Sequence, residues 1–400
     1  MNIWKISIRN FRFKPLYTLL GILILSVSIA LLVGIQQLDK SFKQQLDNNL
    51  GDIDMVVGAK GSPLQLVLAS VLHVDNPTGN ISFKEAKSLI KNPMIEKGVP
   101  ISYGDNYKGY RIVGTTQDFP KLYNADLYEG RYVQKSMEVV LGSTVAEAIG
   151  LQVGDSFQSS HGLAETGGHD HDEPLTIVGI YKPTHKVMDR LIITGLETVW
   201  DAHHHADESV VDGHVTNSER EITSMLVSFR NPMALLTIPR SINENTNMQA
   251  ALPKFELERL YQFTGVGVKT ITWIAYAILI ISCITIFISL YRMVRDRAFD
   301  LALMRSYGAN RLQLVKMVAY EGFLIASMAF VIGVLLSQIG VYFILEMITD
   351  QYKQRMPLLL GPIELLQTAG LVALMVLSSI CLAIYPILKM NISKILSYEK

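Results

Sequence analysis

Four long apolar stretches punctuate an otherwise mixed chain: Leu16 to Ile35 near the N-terminus, then Ile271 to Leu290, Leu314 to Leu345 and Ile363 to Leu388 in the C-terminal third. Each reaches the ~20 residues that a helix needs to cross a bilayer. The residues between the first and second stretches have ordinary globular patterning, so the expected fold is a four-span helical membrane protein carrying one large inserted soluble domain. The apolar pattern outlasts the first span. Leu38, Phe42, Leu46 and Leu50 continue at helical spacing among polar neighbours until Gly51, which fits a helix end. A single helix over 16–50 would be ~52 Å long against a ~30 Å hydrocarbon core, leaving about a third of it as a stalk. Phe255, Leu260, Phe263 and Val266 suggest a second stalk before the second span.

The expected division of the chain is a basic helix over 1–15, the first span with its stalk over 16–50, a soluble domain over 51–250, and the second stalk and span over 251–291. A basic loop over 292–312, a third span over 313–348, a short loop over 349–362, a fourth span over 363–388 and a tail over 389–400 complete it. Within the soluble domain, strands are expected at Asp54 to Ala59, Tyr110 to Gly114, Glu138 to Leu141, Gln152 to Gln158, Leu175 to Tyr181, Arg190 to Thr194 and Met225 to Phe229. Helices are expected at Ser82 to Ile90, where Ser82 and Glu85 have capping-box spacing, at Ser143 to Ile149, and at Glu197 to His205. Helices scattered among strands argue for an α+β domain.

Charge sets the expected orientation. Lys5, Arg9, Arg12 and Lys14 precede the first span with no acid among the first fifteen residues, and the 292–312 loop carries Arg292, Arg295, Arg297, Arg305 and Arg311. By the positive-inside rule both termini and this loop are cytoplasmic, and the inserted domain lies outside. A cleaved signal peptide is the rival for the first stretch, but its apolar run is long and no small-x-small site follows Val33. The zero net charge of the chain hides an asymmetry, since residues 36–268 hold 29 acids and 20 bases. Cys283 and Cys381 both fall within expected spans, which leaves neither for a disulfide framework or a cysteine-based zinc site.

At residues 297–340 the chain reads RAFDLALMRSYGANRLQLVKMVAYEGFLIASMAFVIGVLLSQIG. This resembles the cytoplasmic loop and third span of the MacB/FtsX-like ABC permeases, whose pattern runs R-x-x-E-hydrophobic, then L-R-x-x-G-A, then E-G entering a glycine-containing span. Arg305, Gly308, Ala309, Glu321 and Gly322 match, while Asp300 stands where the family usually has Glu. The N-terminal SIRNFRFKPLYTLLGILILSVSIAL is similar to the family's basic leading helix and first span, and GAKGSPLQLVLASVLHVDNPTGNIS at 58–82 is similar to a segment of a less characterised branch. The one-plus-three arrangement of spans is also that family's.

The resemblance implies a bacterial inner-membrane permease subunit of an ABC transporter, not itself an enzyme. ATP would be bound and hydrolysed by a separate ABC ATPase subunit, and this chain has no G-x-x-x-x-G-K-[ST] phosphate loop of its own. It implies a homodimer or heterodimer of permeases in lipid, with an extracytoplasmic adaptor or binding protein as a further possible partner and no role for nucleic acid. The loop after the second span would form a coupling helix seated on the ATPase, with Arg297, Asp300, Leu301, Met304, Arg305, Tyr307 and Gly308 as the coupling residues. On that reading Leu301, Met304 and Tyr307 form its apolar face; basic residues that merely satisfy topology and anionic headgroups are the alternative. Glu321 is an ionisable residue inside a span, a costly placement, and either pairs with Lys316 or Arg311 or snorkels to the interface. The spans are otherwise too poor in charge for a solute pathway. ATP-driven closure would instead be passed through the stalks to the outer domain.

Histidine is the remaining signal. Eight of nine histidines lie between His161 and His214, and seven of them form two acid-rich groups: His161, His169 and His171, then His203, His204, His205 and His214. Imidazole and carboxylate are zinc ligands, so a zinc site is one reading. A solvated polar insertion is the other, because no spacing here is diagnostic and ordering a loop costs about 1 to 2 kcal/mol per residue. No nucleophile or acid–base constellation is recognisable. Two functions compete with transport: regulation of an extracytoplasmic hydrolase by the same strokes, and handling of divalent metal.

Overall fold

The computed structural model describes residues 15–159, 173–207, 220–352, 358 and 361–388. The chain forms two compact units, one of Met1–Ser41, Thr264–Leu345 and Leu358–Lys400, the other of Phe42–Phe263 and Glu346–Pro357. In chain order the helices are α1 (Pro15–Leu50), α2 (Pro63–Ser70), α3 (Phe83–Leu89), α4 (Phe119–Leu122), α5 (Ser143–Ile149), α6 (Leu196–Asp207), α7 (Ala234–Asn245), α8 (Pro253–Asp296), α9 (Ala298–Ser306), α10 (Arg311–Tyr352) and α11 (Pro362–Leu388). Among them α1, α8, α10 and α11 are long and apolar enough to cross a membrane.

In the first unit these four helices share a core of Leu25, Ile29 and Leu32 from α1, Leu279, Ile286 and Leu290 from α8, Leu314 and Val318 from α10, and Val376 and Ile380 from α11. Lipid is as apolar as these side chains, so close packing and hydrogen bonds must hold the bundle together. The close packing is visible at Gly333 of α10, where a Cβ would come 2.8 Å from the Ser26 carbonyl oxygen of α1. Polar crosslinks add to it. The Ser28 and Ser282 hydroxyls meet at 2.8 Å, Ser379 donates to the Cys283 carbonyl at 3.1 Å, Gln338 donates to Gln37 at 2.9 Å, and Lys40 pairs with Glu364 at 2.7 Å.

The second unit is built on a mixed sheet ordered β12-β1-β11-β3-β4-β9-β6-β8-β5, with β7 also on β8. Its strands are β1 (Met55–Ala59), β3 (Ile95–Tyr107), β4 (Tyr110–Thr115), β5 (Leu127–Gly130), β6 (Glu138–Leu141), β7 (Ser156–Phe157), β8 (Leu175–Tyr181), β9 (Leu191–Gly195), β11 (Ser224–Phe229) and β12 (Met248–Ala251); β2 (Ile81–Ser82) and β10 (Glu221–Ile222) pair separately. Only β4 with β9 and β6 with β8 run parallel; the other neighbours are antiparallel. The apolar run Met55-Val56-Val57 makes sense of β1. Successive strand side chains point to opposite faces, and both faces are covered: Val56 joins Leu66, Val67 and Val99, while Met55 and Val57 join Ile238, Ile242 and Met248.

This is the α+β domain expected between the first and second spans, with local differences. The expected strand over Gln152 to Gln158 contracts to Ser156–Phe157. Ser82 precedes α3, yet its side chain makes no capping hydrogen bond and its hydroxyl is buried without a partner among the described residues. The backbone of Ser82 is engaged in β2, paired with Glu221. The long strand β3 was not expected, because Gly98, Pro100 and Gly104 interrupt its sequence. Packing explains the first of these: at Gly98 a Cβ would come 2.7 Å from Ile90 and 3.1 Å from the Met225 sulfur.

Candidate functional site

The chain turns twice between α8 and α10. Arg297 leaves helical geometry at ψ 16°, and its carbonyl accepts the Leu301 N–H at 2.9 Å to start α9. The helix ends when Gly308 adopts φ +94°, a left-handed conformation that favours glycine. There the Gly308 N–H reaches the Arg305 carbonyl at 3.1 Å and the Ala309 N–H the Met304 carbonyl at 3.0 Å. Gln313 then reaches back to accept the Asn310 N–H at 3.0 Å, satisfying a free donor at the start of α10.

The face that α9 offers outward differs from the expected one. Leu301 is 2% exposed, Ala302 is fully buried, and Met304 packs against the same helical core. A nine-residue helix must bury one side to stay folded, and the helical stripe containing Leu301 and Ala302 serves that purpose. Phe299 and Leu303 are each a little over a third exposed and Tyr307 is 84% exposed; at four-residue spacing they share the opposite face. Leu312 adds a further exposed apolar side chain at the start of α10. Arg305 is half-buried, and the Asp300 side chain lies outside the described residues. Arg292, Arg295, Arg311 and Lys316 are exposed on the flanking helices, giving the apolar stripe a basic surround.

Glu321 is 3% exposed on α10, and one of its carboxylate oxygens lies 3.8 Å from the Arg297 guanidinium. This pair joins the turn before α9 to the third long helix, a partnership different from the expected Lys316 or Arg311. A carboxylate so buried needs such a partner, and removing one member of a buried pair costs about 3 to 5 kcal/mol.

The second unit has two polar centres that sequence patterning does not reveal. A cleft of about 430 Å³ opens at the C-terminal ends of the parallel strands β4 and β9, lined by Thr115, Tyr132, Lys135, Thr194, Gly195 and Glu197. Its rim, residues 131–137, is tied down by Glu138, which takes a bidentate ion pair from Arg131 at 2.6 and 2.7 Å and backbone N–H groups from Gln134 and Lys135 at 2.9 and 3.1 Å. Hydrogen bonding to Arg131 first, and then to the two backbone groups, holds the Glu138 carboxyl down to about 2. The other centre is buried. His73, at φ +52°, meets the Tyr103 hydroxyl at 2.7 Å, and the Arg111 guanidinium stacks 4.5 Å over the Tyr103 ring. Burial pushes the His73 imidazole well below its ordinary range, and the nearby Arg111 and Arg190 push it further the same way.

His161, His169, His171 and His214 lie outside the described residues. His203, His204 and His205 fall on α6, but their side chains are likewise not described. Among the described residues no three His, Cys, Asp or Glu side chains gather to hold a metal.

Residues 16–237 match the MacB-like periplasmic core domain and residues 273–392 the FtsX-like permease C-terminal domain. The periplasmic region of MacB from Actinobacillus actinomycetemcomitans is similar at 13% identity with a TM-score of 0.34, covering 54% of this chain and 98% of that one. The extracellular domain of the noncanonical ABC-type transporter YknZ from Gram-positive bacteria is similar at 10% identity with a TM-score of 0.32, covering 49% and 98%. A domain of a permease protein from Porphyromonas gingivalis gives 13% identity, a TM-score of 0.30, and coverage of 51% and 88%. No curated protein matches the chain. Four long apolar helices, a mixed α+β domain between the first and second, and the two domain matches that cover them lead to one assignment: the chain belongs to the MacB/FtsX-like ABC permease family, as a non-catalytic, multi-pass membrane subunit with an extracytoplasmic domain.

Proposed function

We propose that this permease subunit passes ATP-driven movement from its partner ATPase through α1 and α8 to the extracytoplasmic domain, for export or for handling a substrate outside the membrane. Both termini and α9 lie in the cytoplasm on this reading, and two permease chains assemble with the ATPase. The observation that carries it is the exposed stripe formed by Phe299 and Leu303 on α9 and by Tyr307 directly after it, on a helix whose other side is fixed by Leu301, Ala302 and the Arg297–Glu321 pair. An apolar stripe within a basic surround fits an acidic-rimmed groove on a soluble partner. Arg297, Asp300, Leu301, Met304 and Gly308 then position the helix, while Tyr307 and Arg305 meet the ATPase.

The test is co-purification and ATPase activity of the complex. Tyr307→Asp should lose the ATPase during purification, and Arg305→Glu should weaken the association roughly tenfold, an effect of about 1.4 kcal/mol. Membrane insertion should be normal in both. Wild-type association and nucleotide turnover in Tyr307→Asp would remove α9 as the docking element. The same purification identifies any extracytoplasmic partner; a hydrolase there, with no transported cargo, would favour the regulatory alternative.

A further inference from the structure

The last turns of α1 belong to the extracytoplasmic unit, and they grip it by side-chain amides. Gln45 and Asn49 sit four residues apart on one helical face, each 2% exposed. The Asn49 Oδ1 accepts the Val187 N–H at 2.8 Å, while the Gln45 Nε2 donates to the His185 carbonyl at 3.1 Å and to Asn49 Oδ1 at 3.2 Å. Two residues further on, α1 has stopped at Gly51, φ +54°, where a Cβ would stand 2.7 Å from the Leu122 carbonyl oxygen.

The segment that receives this grip is stiff. The buried Asp189 carboxylate accepts the Thr184 N–H at 2.8 Å, the Thr184 hydroxyl at 2.7 Å and the His185 N–H at 2.7 Å. The Lys186 ammonium donates to the Tyr123 carbonyl at 3.0 Å. Directly afterwards a 3₁₀ turn, Val187–Arg190, leads into β9, which is paired on one side by β4 and on the other by β6. The far end of β9, at Thr194 and Gly195, lines the cleft.

Two features set this joint apart from ordinary packing. Buried amides are tolerated when every polar atom is satisfied, yet the Gln45 Oε1 is buried with no partner among the described residues. His185, the residue it holds, occupies the left-handed region at φ +57°. An unsatisfied acceptor and a strained backbone at one contact are what a joint with a second arrangement would store. Leu46 and Leu50 pack beside it on the core. Apolar contacts of that kind resist separation but slide, whereas directional hydrogen bonds also resist rotation and axial shift.

Resting on the transmission reading above, we propose that Gln45 and Asn49 form the latch through which movement of α1 enters the sheet. They act as positioning residues on the backbone at 185–187, with β9 carrying the displacement to the cleft.

The test is hydrogen exchange on the full-length permease with its co-purified ATPase in lipid nanodiscs, with and without ATP and vanadate. In wild type, nucleotide trapping should alter exchange both at 42–50 and at 184–195. Asn49→Leu should keep the change at 42–50 and shrink that at 184–195 about fivefold, with ATP turnover retained. Asn49→Asp preserves the acceptor and should restore the response, which a merely structural role would not require. An undiminished response at 184–195 in Asn49→Leu overturns the latch. Should that variant fail to fold, Gln45→Met, which removes the His185 contact, is read the same way: a diminished response supports the latch and a wild-type response overturns it. A wild type that responds at 42–50 but not at 184–195 also overturns the latch and leaves transmission standing. Silence at both segments overturns transmission itself.

Discussion

Glu138 and His73 are two titratable groups that the outer unit holds away from their ordinary pKa values, in different pH windows. Glu138, down at about 2 because of Arg131 and two backbone donors, lies below the unfolded carboxylate value of ~4.3. Its contribution is therefore whole above ~4.3 and drains away as pH falls toward 2. The ceiling is ~3 kcal/mol, and the real figure is smaller because Arg131 is 45% exposed to screening solvent. His73 is depressed by burial and then by Arg111 and Arg190. The unfolded chain takes up that proton first, so the stability it supports is intact above ~6.5 and falls below it by up to ~1.4 kcal/mol per pH unit. Urea unfolding of the full chain in detergent should show a midpoint that drops from pH 6.5 to 5, and His73→Gln should flatten that slope while Glu138→Gln leaves it in place. A slope unchanged in His73→Gln would assign it to other groups.

Helix α1 depends on continuity through the residues around Lys43, whose ammonium lies 4.5 Å from the Tyr261 ring centroid of α8. Proline at position 43 removes a backbone hydrogen bond, clashes with the preceding turn and loses that cation–π contact, a local cost of about 3 kcal/mol or more. Lys43→Pro should insert normally but lose ATP-driven function, measured as nucleotide-dependent exchange at 184–195; a wild-type response would reduce α1 to a passive tether. How far such elements are legible in sequence depends on what decides them. The four long helices and strands such as β1, β4, β6 and β8 could be read directly, because apolar periodicity alone decides them. Strand β3 could not, since Gly98 and Pro100 look like breakers, and only the fold shows Ile90 and Met225 filling the space beside Gly98. The outward face of α9 was equally hidden. Its sequence offers two apolar stripes, one through Leu301 and one through Leu303, and only the bundle determines which is buried. The Gln45–Asn49 joint and the cleft depend on residues far apart in sequence, which no local pattern announces.

For the whole molecule, the proposed orientation has a direct measurement. Cysteine at Met233, which is 64% exposed in the outer unit, should react with an impermeant thiol reagent in intact cells, while cysteine at Asn310 should react only after permeabilisation. The reverse labelling would invert the membrane topology and, with it, the side on which the ATPase docks. The strand order carries another consequence, for biosynthesis. β1 is the first strand of the outer unit to be made, yet its neighbours in the sheet are β11 and β12, the last two, paired through Met55 with Val227 and through Val56 with Ala251. Until the chain has been translocated as far as Ala251, the apolar segment Met55-Val56-Val57 lacks both strands that enclose it. Such long-range pairing is slow to form and leaves open strand edges in the meantime. The nascent domain therefore leaves the translocon with an apolar strand uncovered, which makes the interval between emergence of β1 and arrival of β12 a period of aggregation risk and a stage at which extracytoplasmic chaperones would matter.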